Sequence, residues 1–133
     1  MYNSAAKAYG RTSQQTVNPR ELEAALLIKA AARLQSVIDD WENASPTLDE
    51  ALQYNRKLWS VFVDAVTRSD CPLPAQVAQN IANLGLFVFN QTIALQVQPD
   101  ENKVRSLITI NCEIAGGLRG QAEAAAAAPA TTE

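Results

Sequence analysis

Residues 47–66 read TLDEALQYNRKLWSVFVDAV. Within them Leu48, Ala51, Leu52, Leu58, Trp59, Phe62, Ala65 and Val66 recur every three or four residues, with Asn55 on the same stripe. This is the 3.6-residue period of an amphipathic helix, not the two-residue alternation of a strand. Thr47 followed three residues later by Glu50 has the form of a capping box, which places the start of the helix at 47, and the break at Cys71-Pro72 places its end near 69.

The same period continues on both sides. Leu22, Leu26, Ala30, Leu34, Val37, Ile38 and Trp41 form one stripe before it. Val77, Ile81, Leu84, Val88 and Leu95 form a second after it, and Val104, Leu107, Ile108, Ile114 and Leu118 a third. Prolines separate the stripes, at Asn18-Pro19, Ser45-Pro46, Cys71-Pro72-Leu73-Pro74 and Gln98-Pro99-Asp100, and the last, Pro129, lies in the tail. None interrupts a stripe, as helices require. Asn18 suits an N-cap ahead of Pro19, with Glu21 completing a capping box. Pro74 suits a first helical turn, and Asp100 an N-cap followed by the acidic Glu101. Gly116-Gly117 and Gly120 are expected to end the last helix.

The sequence therefore predicts an all-α protein: a single domain of four long helices, about 19–42, 47–69, 74–97 and 100–118, packed as a bundle. Residues 1–17 are small and polar apart from Tyr2 and Tyr9, and read as an N-terminal arm or short helix. The helical domain spans 18–119. Residues 120–133 are an alanine tract followed by Pro129, Thr131, Thr132 and Glu133, and are expected to be disordered.

The third helix departs from a simple amphipathic pattern. Leu86, Phe87, Val88 and Phe89 are contiguous and cover most of its circumference. Either the helix is central and largely buried, or Phe87 or Phe89 lines a groove for a partner. Gly85 costs roughly 1 kcal/mol relative to alanine unless it permits close packing.

Composition narrows the chemistry. The chain has 133 residues, a formal net charge of −3 and no histidine. A Ser-His-Asp or Cys-His constellation, a histidine metal ligand and an imidazole base are all excluded. Cys71 and Cys112 form no CxxC pair and read as reduced packing or loop residues. Asp39, Asp40 and Glu42 read as a solvated helix end, with Arg33, Arg56 or Lys57 as the neighbouring cation that offsets them. Gly116-Gly117-Leu118-Arg119-Gly120 lacks the lysine and following helix of a phosphate loop. No apolar run reaches the ~18–20 residues of a membrane span. With no signal-peptide pattern, the expected location is cytoplasmic. Eleven scattered basic residues on an acidic chain argue against nucleic acid as a partner. The expectation is a non-enzymatic protein that needs no cofactor.

Two asparagines stand out. Asn55 shares a face with Trp59 and Phe62, and Asn111 lies within Ile108-Thr109-Ile110-Asn111. Among large apolar residues their amides must find partners. Either they are a buried pair that fixes helix register, or they hold the backbone of a partner segment. Arg56 and Lys57 read as a solvated face or as part of a partner site.

Taken in order, Ala8-Tyr9, Asn18-Pro19-Arg20-Glu21-Leu22-Glu23-Ala24, Leu52-x-x-Asn55-Arg56-x-Leu58-Trp59-x-x-Phe62, Leu73-Pro74 with Ile81-x-x-Leu84, and Ile108-x-Ile110-Asn111-x-x-Ile114-x-x-Gly117-Leu118 resemble FlaF, the small flagellar protein of alphaproteobacteria. The resemblance covers roughly residues 5–118. It implies a cytoplasmic factor for flagellin production and export that acts opposite FlbT, functionally similar to FliS-type export chaperones. Its implied partners are flagellin, FlbT and the flagellar export apparatus. The chemistry is non-covalent: unassembled flagellin is held, shielded from premature polymerisation and presented for export.

Partner-binding candidates under this reading are Tyr54, Asn55, Arg56, Trp59, Phe87, Phe89 and Asn111, since aromatic side chains carry much interface energy. An exposed apolar groove equally suits a homodimer seam. Rival functions are a post-transcriptional regulator that binds flagellin mRNA directly and a helical scaffold of another assembly. RNA binding would want a basic stripe with stacking aromatics, which this chain lacks.

Overall fold

A computed structural model of the chain describes residues 18–127. The expectations for the N-terminal arm (1–17) and for the last six residues of the tail lie outside that range. Four α-helices follow one another: α1 (Pro19–Asp39), α2 (Ser45–Val66), α3 (Ala75–Val97) and α4 (Glu101–Ala127), with one 3-10 turn at Trp41–Asn43 between α1 and α2. Among the described residues there is no strand, and the helices pack as an all-α bundle.

The caps at Asn18 and Asp100 form as their local sequence dictates. Asn18 Oδ1 accepts from the Arg20 amide at 2.8 Å, with Pro19 opening α1. Asp100 Oδ1 accepts from the amides of Asn102 (2.9 Å) and Lys103 (3.3 Å). The reciprocal half of the first capping box does not form. Glu21 instead points across to α4, where its carboxylate lies 3.6 Å from Arg119 Nε.

Several helix boundaries differ from the sequence reading: α2 ends at Val66 rather than near 69, and three others carry a physical lesson. α1 stops at Asp39, because two consecutive aspartates oppose the negative end of the helix dipole. Their charges are met by amides rather than by Arg33, Arg56 or Lys57: Gln35 Nε2 donates to Asp39 Oδ1 and Asn43 Nδ2 to Asp40 Oδ1. α2 begins at Ser45, two residues before the expected Thr47. Pro46 is tolerated in a first turn, so the helix winds through it. The Thr47 hydroxyl therefore donates to the Ala44 carbonyl at 3.1 Å and caps no amide.

The third difference is the largest. α4 does not end at Gly116-Gly117 or Gly120 but runs to Ala127, so residues 120–127 are helix rather than disordered tail. The glycines sit on its outer side, where a Cβ would meet nothing within 4 Å. Leu118 and Ala122 on the opposite side are buried. That burial outweighs the roughly 1 kcal/mol penalty of each helical glycine.

α1 and α4 make the most extensive contact in the bundle. Small side chains allow the close approach: Ala24, Ala30 and Ala31 on α1, Ala115 and Ala122 on α4 are all buried. The core adds Leu27, Leu34 and Val37 from α1, Leu48, Leu52, Trp59 and Phe62 from α2, Ile81, Val88 and Leu95 from α3, and Val104, Leu107 and Leu118 from α4. Leu22, expected on the inner stripe of α1, faces solvent, and Ala24 and Leu27 take the inner positions.

α3 is not a central helix. It packs mainly on α2 and makes little contact with α4, although only a short loop joins them. One stripe is buried, formed by Ala78, Ile81, Gly85, Val88, Thr92 and Leu95. Gly85 sets the spacing, since a Cβ there would overlap Val63 Cγ2 of α2. No helix among the described residues is long and apolar enough to cross a membrane.

Candidate functional site

The candidate residues separate into three places. The first is inside the bundle. Asn111 of α4 lies at the centre of a buried network: its Nδ2 donates to Asn55 Oδ1 at 2.7 Å and to the Leu27 carbonyl at 3.3 Å. Its Oδ1 accepts from Trp59 Nε1 at 2.9 Å. The Trp59 ring meets Phe62 edge-on, with centroids 6.1 Å apart. One side chain thus ties α4 to both α1 and α2. Asn55, Trp59 and Asn111 are completely buried, so a partner could reach them only by opening the bundle. Their arrangement is that of a register key. Asn55 Nδ2 is the exception in the network: it is buried and has no hydrogen-bond partner among the described residues.

The second place is the seam between α1 and α2. Arg33 stacks over the half-buried Tyr54 ring, 4.1 Å from its centroid. Arg56 is exposed and bonds to Gln53 Oε1 through Nε and Nη2, at 3.2 and 3.1 Å. The shallow surface there is also lined by Asp49, Glu50 and Lys57. With both signs of charge present, and with Arg33, Tyr54 and Arg56 already engaged locally, it offers little unsatisfied apolar surface.

The third place is the outer face of α3. Phe87 is exposed and Phe89 half-buried against the core. Three residues that were not among the binding candidates complete the face: Leu86 is 62 % exposed, Ile93 59 % and Val97 82 %. From Cys71 to Pro99 no residue is charged. That absence was the available signal, because an exposed helix normally carries charge on its solvent side. Exposed apolar side chains gathered on one helix face, with only uncharged Asn83 and Asn90 between them, mark an interaction site more often than an accident of composition.

At one end of the bundle lies a small apolar cavity of about 40 Å³, lined by Phe62, Leu73, Ile81, Ile114 and Leu118. Arg20 and Glu23 also line it, with Arg20 Nη2 donating to Glu23 Oε2 at 3.0 Å. Burial pushes the Glu23 carboxyl up from its ordinary value, and Arg20 partly offsets this. The half-buried Cys71 lines the cavity as well, and the exposed Cys112 lies on α4; both thiols are free. Among the described residues no group of three or more cysteine, aspartate and glutamate side chains is placed to hold a metal ion.

The pieces of sequence that carry the family resemblance now have positions. Asn18 and Pro19 open α1, Asn55, Trp59 and Asn111 form the buried network, and Ile81, Leu84, Ile114 and Leu118 lie in or against the core. The sequence model of the flagellar protein FlaF matches residues 5–118. The chain belongs to the FlaF family. It is therefore a flagellar protein, and the family's recognisable residues are largely those that build its core. The match ends at Leu118, before the last turns of α4. No curated protein and no solved structure matches the chain.

Proposed function

We propose that this flagellar protein is a non-enzymatic export chaperone for flagellin, acting in the cytoplasm to promote flagellin synthesis and secretion, opposite FlbT. The observation that carries the reading is the uncharged outer face of α3, where Leu86, Phe87, Ile93 and Val97 meet solvent on an otherwise well-packed bundle. Such a face suits an amphipathic helix laid along it, because apolar burial drives docking without requiring ion pairs. It would shield the sticky segment of an unassembled subunit until the export apparatus receives it. Phe87 is the natural anchor on this face; Phe89, two positions on, turns to another side of the helix and packs against the core. Asn55, Trp59 and Asn111 serve by holding the bundle in shape, and Tyr54 and Arg56 lie on a separate, polar surface.

The test is co-expression with the flagellin of the same organism, followed by co-purification and size-exclusion chromatography. A stoichiometric complex that Phe87→Ala weakens, with the free variant's circular-dichroism melt unchanged, supports the reading. No complex, together with specific binding to flagellin leader RNA, overturns it in favour of direct regulation of the message.

A further inference from the structure

α3 carries two seams of coiled-coil spacing. The inner one is the buried stripe Ala78, Ile81, Gly85, Val88, Thr92 and Leu95, which is covered mainly by α2. The outer one is Gln79, Asn83, Leu86, Asn90, Ile93 and Val97, with alternating steps of four and three residues. The outer residues are all exposed. On a helix the two seams lie on nearly opposite faces. A heptad seam exists to meet another helix, and the helices of this bundle cover only the inner one.

We propose that the outer face of α3 is a homodimer seam, pairing antiparallel with the same face of a second copy of this chain. Three observations select a second copy as the occupant. First, a two-fold interface brings each patch against itself, so any net charge would repel its own image; α3 has no charged residue at all. Second, the outer seam holds Asn90 near its middle, flanked by Leu86 on one side and Ile93 on the other. An asparagine at such a position fixes register and number of strands, because its amide can donate to and accept from its own copy. Third, an antiparallel pairing centred on Asn90 matches the ends. Leu86 of each copy meets Ile93 of the other, and the most exposed apolar residue, Val97, meets Asn83. The 23-residue helix is about 34 Å long, enough for several turns of such packing. The proposal goes beyond the chaperone reading and does not depend on it. If both hold, a client helix and a second copy compete for one face.

The experiment is sedimentation equilibrium of the full chain over a wide concentration range. The expected result is a concentration-dependent species of twice the 14.4 kDa chain mass. Ile93→Glu should weaken dimerisation by about tenfold or more while leaving helicity and the melt of the dilute monomer unchanged, since a charge would meet the seam with no counter-charge. In a Cys71→Ser, Cys112→Ser background, mixing Asn83→Cys chains with Val97→Cys chains should give a disulfide between unlike chains under oxidation. A chain that stays monomeric throughout overturns the proposal, as does a dimer that Ile93→Glu leaves intact or one that cross-links only like chains. A monomer whose flagellin complex is nevertheless abolished by Ile93→Glu overturns the dimer and leaves the chaperone reading standing. A dimer sensitive to Ile93→Glu that binds no flagellin does the reverse.

Discussion

Asn55 and Asn111 are both completely buried asparagines, yet replacing them by leucine should have very different consequences. Asn111→Leu removes the acceptor of Trp59 Nε1–H and the donor to Asn55 Oδ1 in one step. Each buried polar group left unpaired costs about 1–3 kcal/mol, so the substitution should destabilise the bundle by about 2–5 kcal/mol. The Leu27 carbonyl adds little to that sum, because it remains within α1 and keeps its place in the helical ladder. Asn55→Leu is different. The wild-type protein already carries Asn55 Nδ2 unpaired, and leucine abolishes that defect while removing one good bond. Asn111 retains its bonds to Leu27 and Trp59. The net cost should be about 1 kcal/mol or less. In the double variant only Trp59 Nε1–H is orphaned, so it should be no less stable than Asn111→Leu alone. Urea denaturation followed by circular dichroism at 222 nm reads all three. Equal losses for the two single variants, or a loss under about 1 kcal/mol for Asn111→Leu, would refute the view that Asn111 is the centre of the network.

Three further outcomes follow from the packing. Gly85→Ala should destabilise the protein by about 1–2 kcal/mol despite alanine's better helix propensity, because the new Cβ overlaps the stiff Val63. Adding Val63→Ala should recover most of that loss in a double-mutant cycle. Gly116→Ala and Gly117→Ala, with open space around each Cβ position, should each raise stability by up to about 1 kcal/mol, seen as a higher melting temperature. Glu23 has its carboxyl raised by burial, so the folded state holds its proton to higher pH than the unfolded chain does. Its contribution to stability is present in acid and is lost as pH rises through the folded value. Glu23→Gln should flatten that part of the stability–pH curve, and an NMR titration should find Glu23 protonating above the ordinary glutamate range.

Much of the fold could be read from local sequence, because local chemistry decides it. Prolines confined to loops and first helical turns, and side-chain oxygens at Asn18 and Asp100, act within a few residues, and these caps appear where the sequence places them. The errors arise where tertiary contacts win. The glycines of α4 look like a stop signal in isolation, but burial of Leu118 and Ala122 carries the helix past them. Leu86 to Phe89 left open either a central, buried helix or a partner groove, because apolar character says nothing about how many neighbours a helix has. Likewise the stripe containing Asn55 and Trp59 indicated burial, but not that their partner stands 56 and 52 positions away on α4. The face proposed to meet a partner was the least legible part. Its signature is a missing feature, charge, rather than any motif.

The close pairing of α1 with α4 has a consequence for how the chain folds as it is made. The bond from Asn111 to Leu27 spans 84 residues, the longest separation in the buried network. Closing a loop of that length costs about 4 kcal/mol in chain entropy before any contact repays it. The α2–α3 hairpin, by contrast, joins neighbours across a short loop and can form at once. A nascent chain that has produced α3 but not α4 therefore lacks the surface on which Leu27, Trp59 and Asn55 close. The extensive α1–α4 pairing must therefore wait until α4 itself has been made, and contacts of such long sequence separation are the slow kind to form.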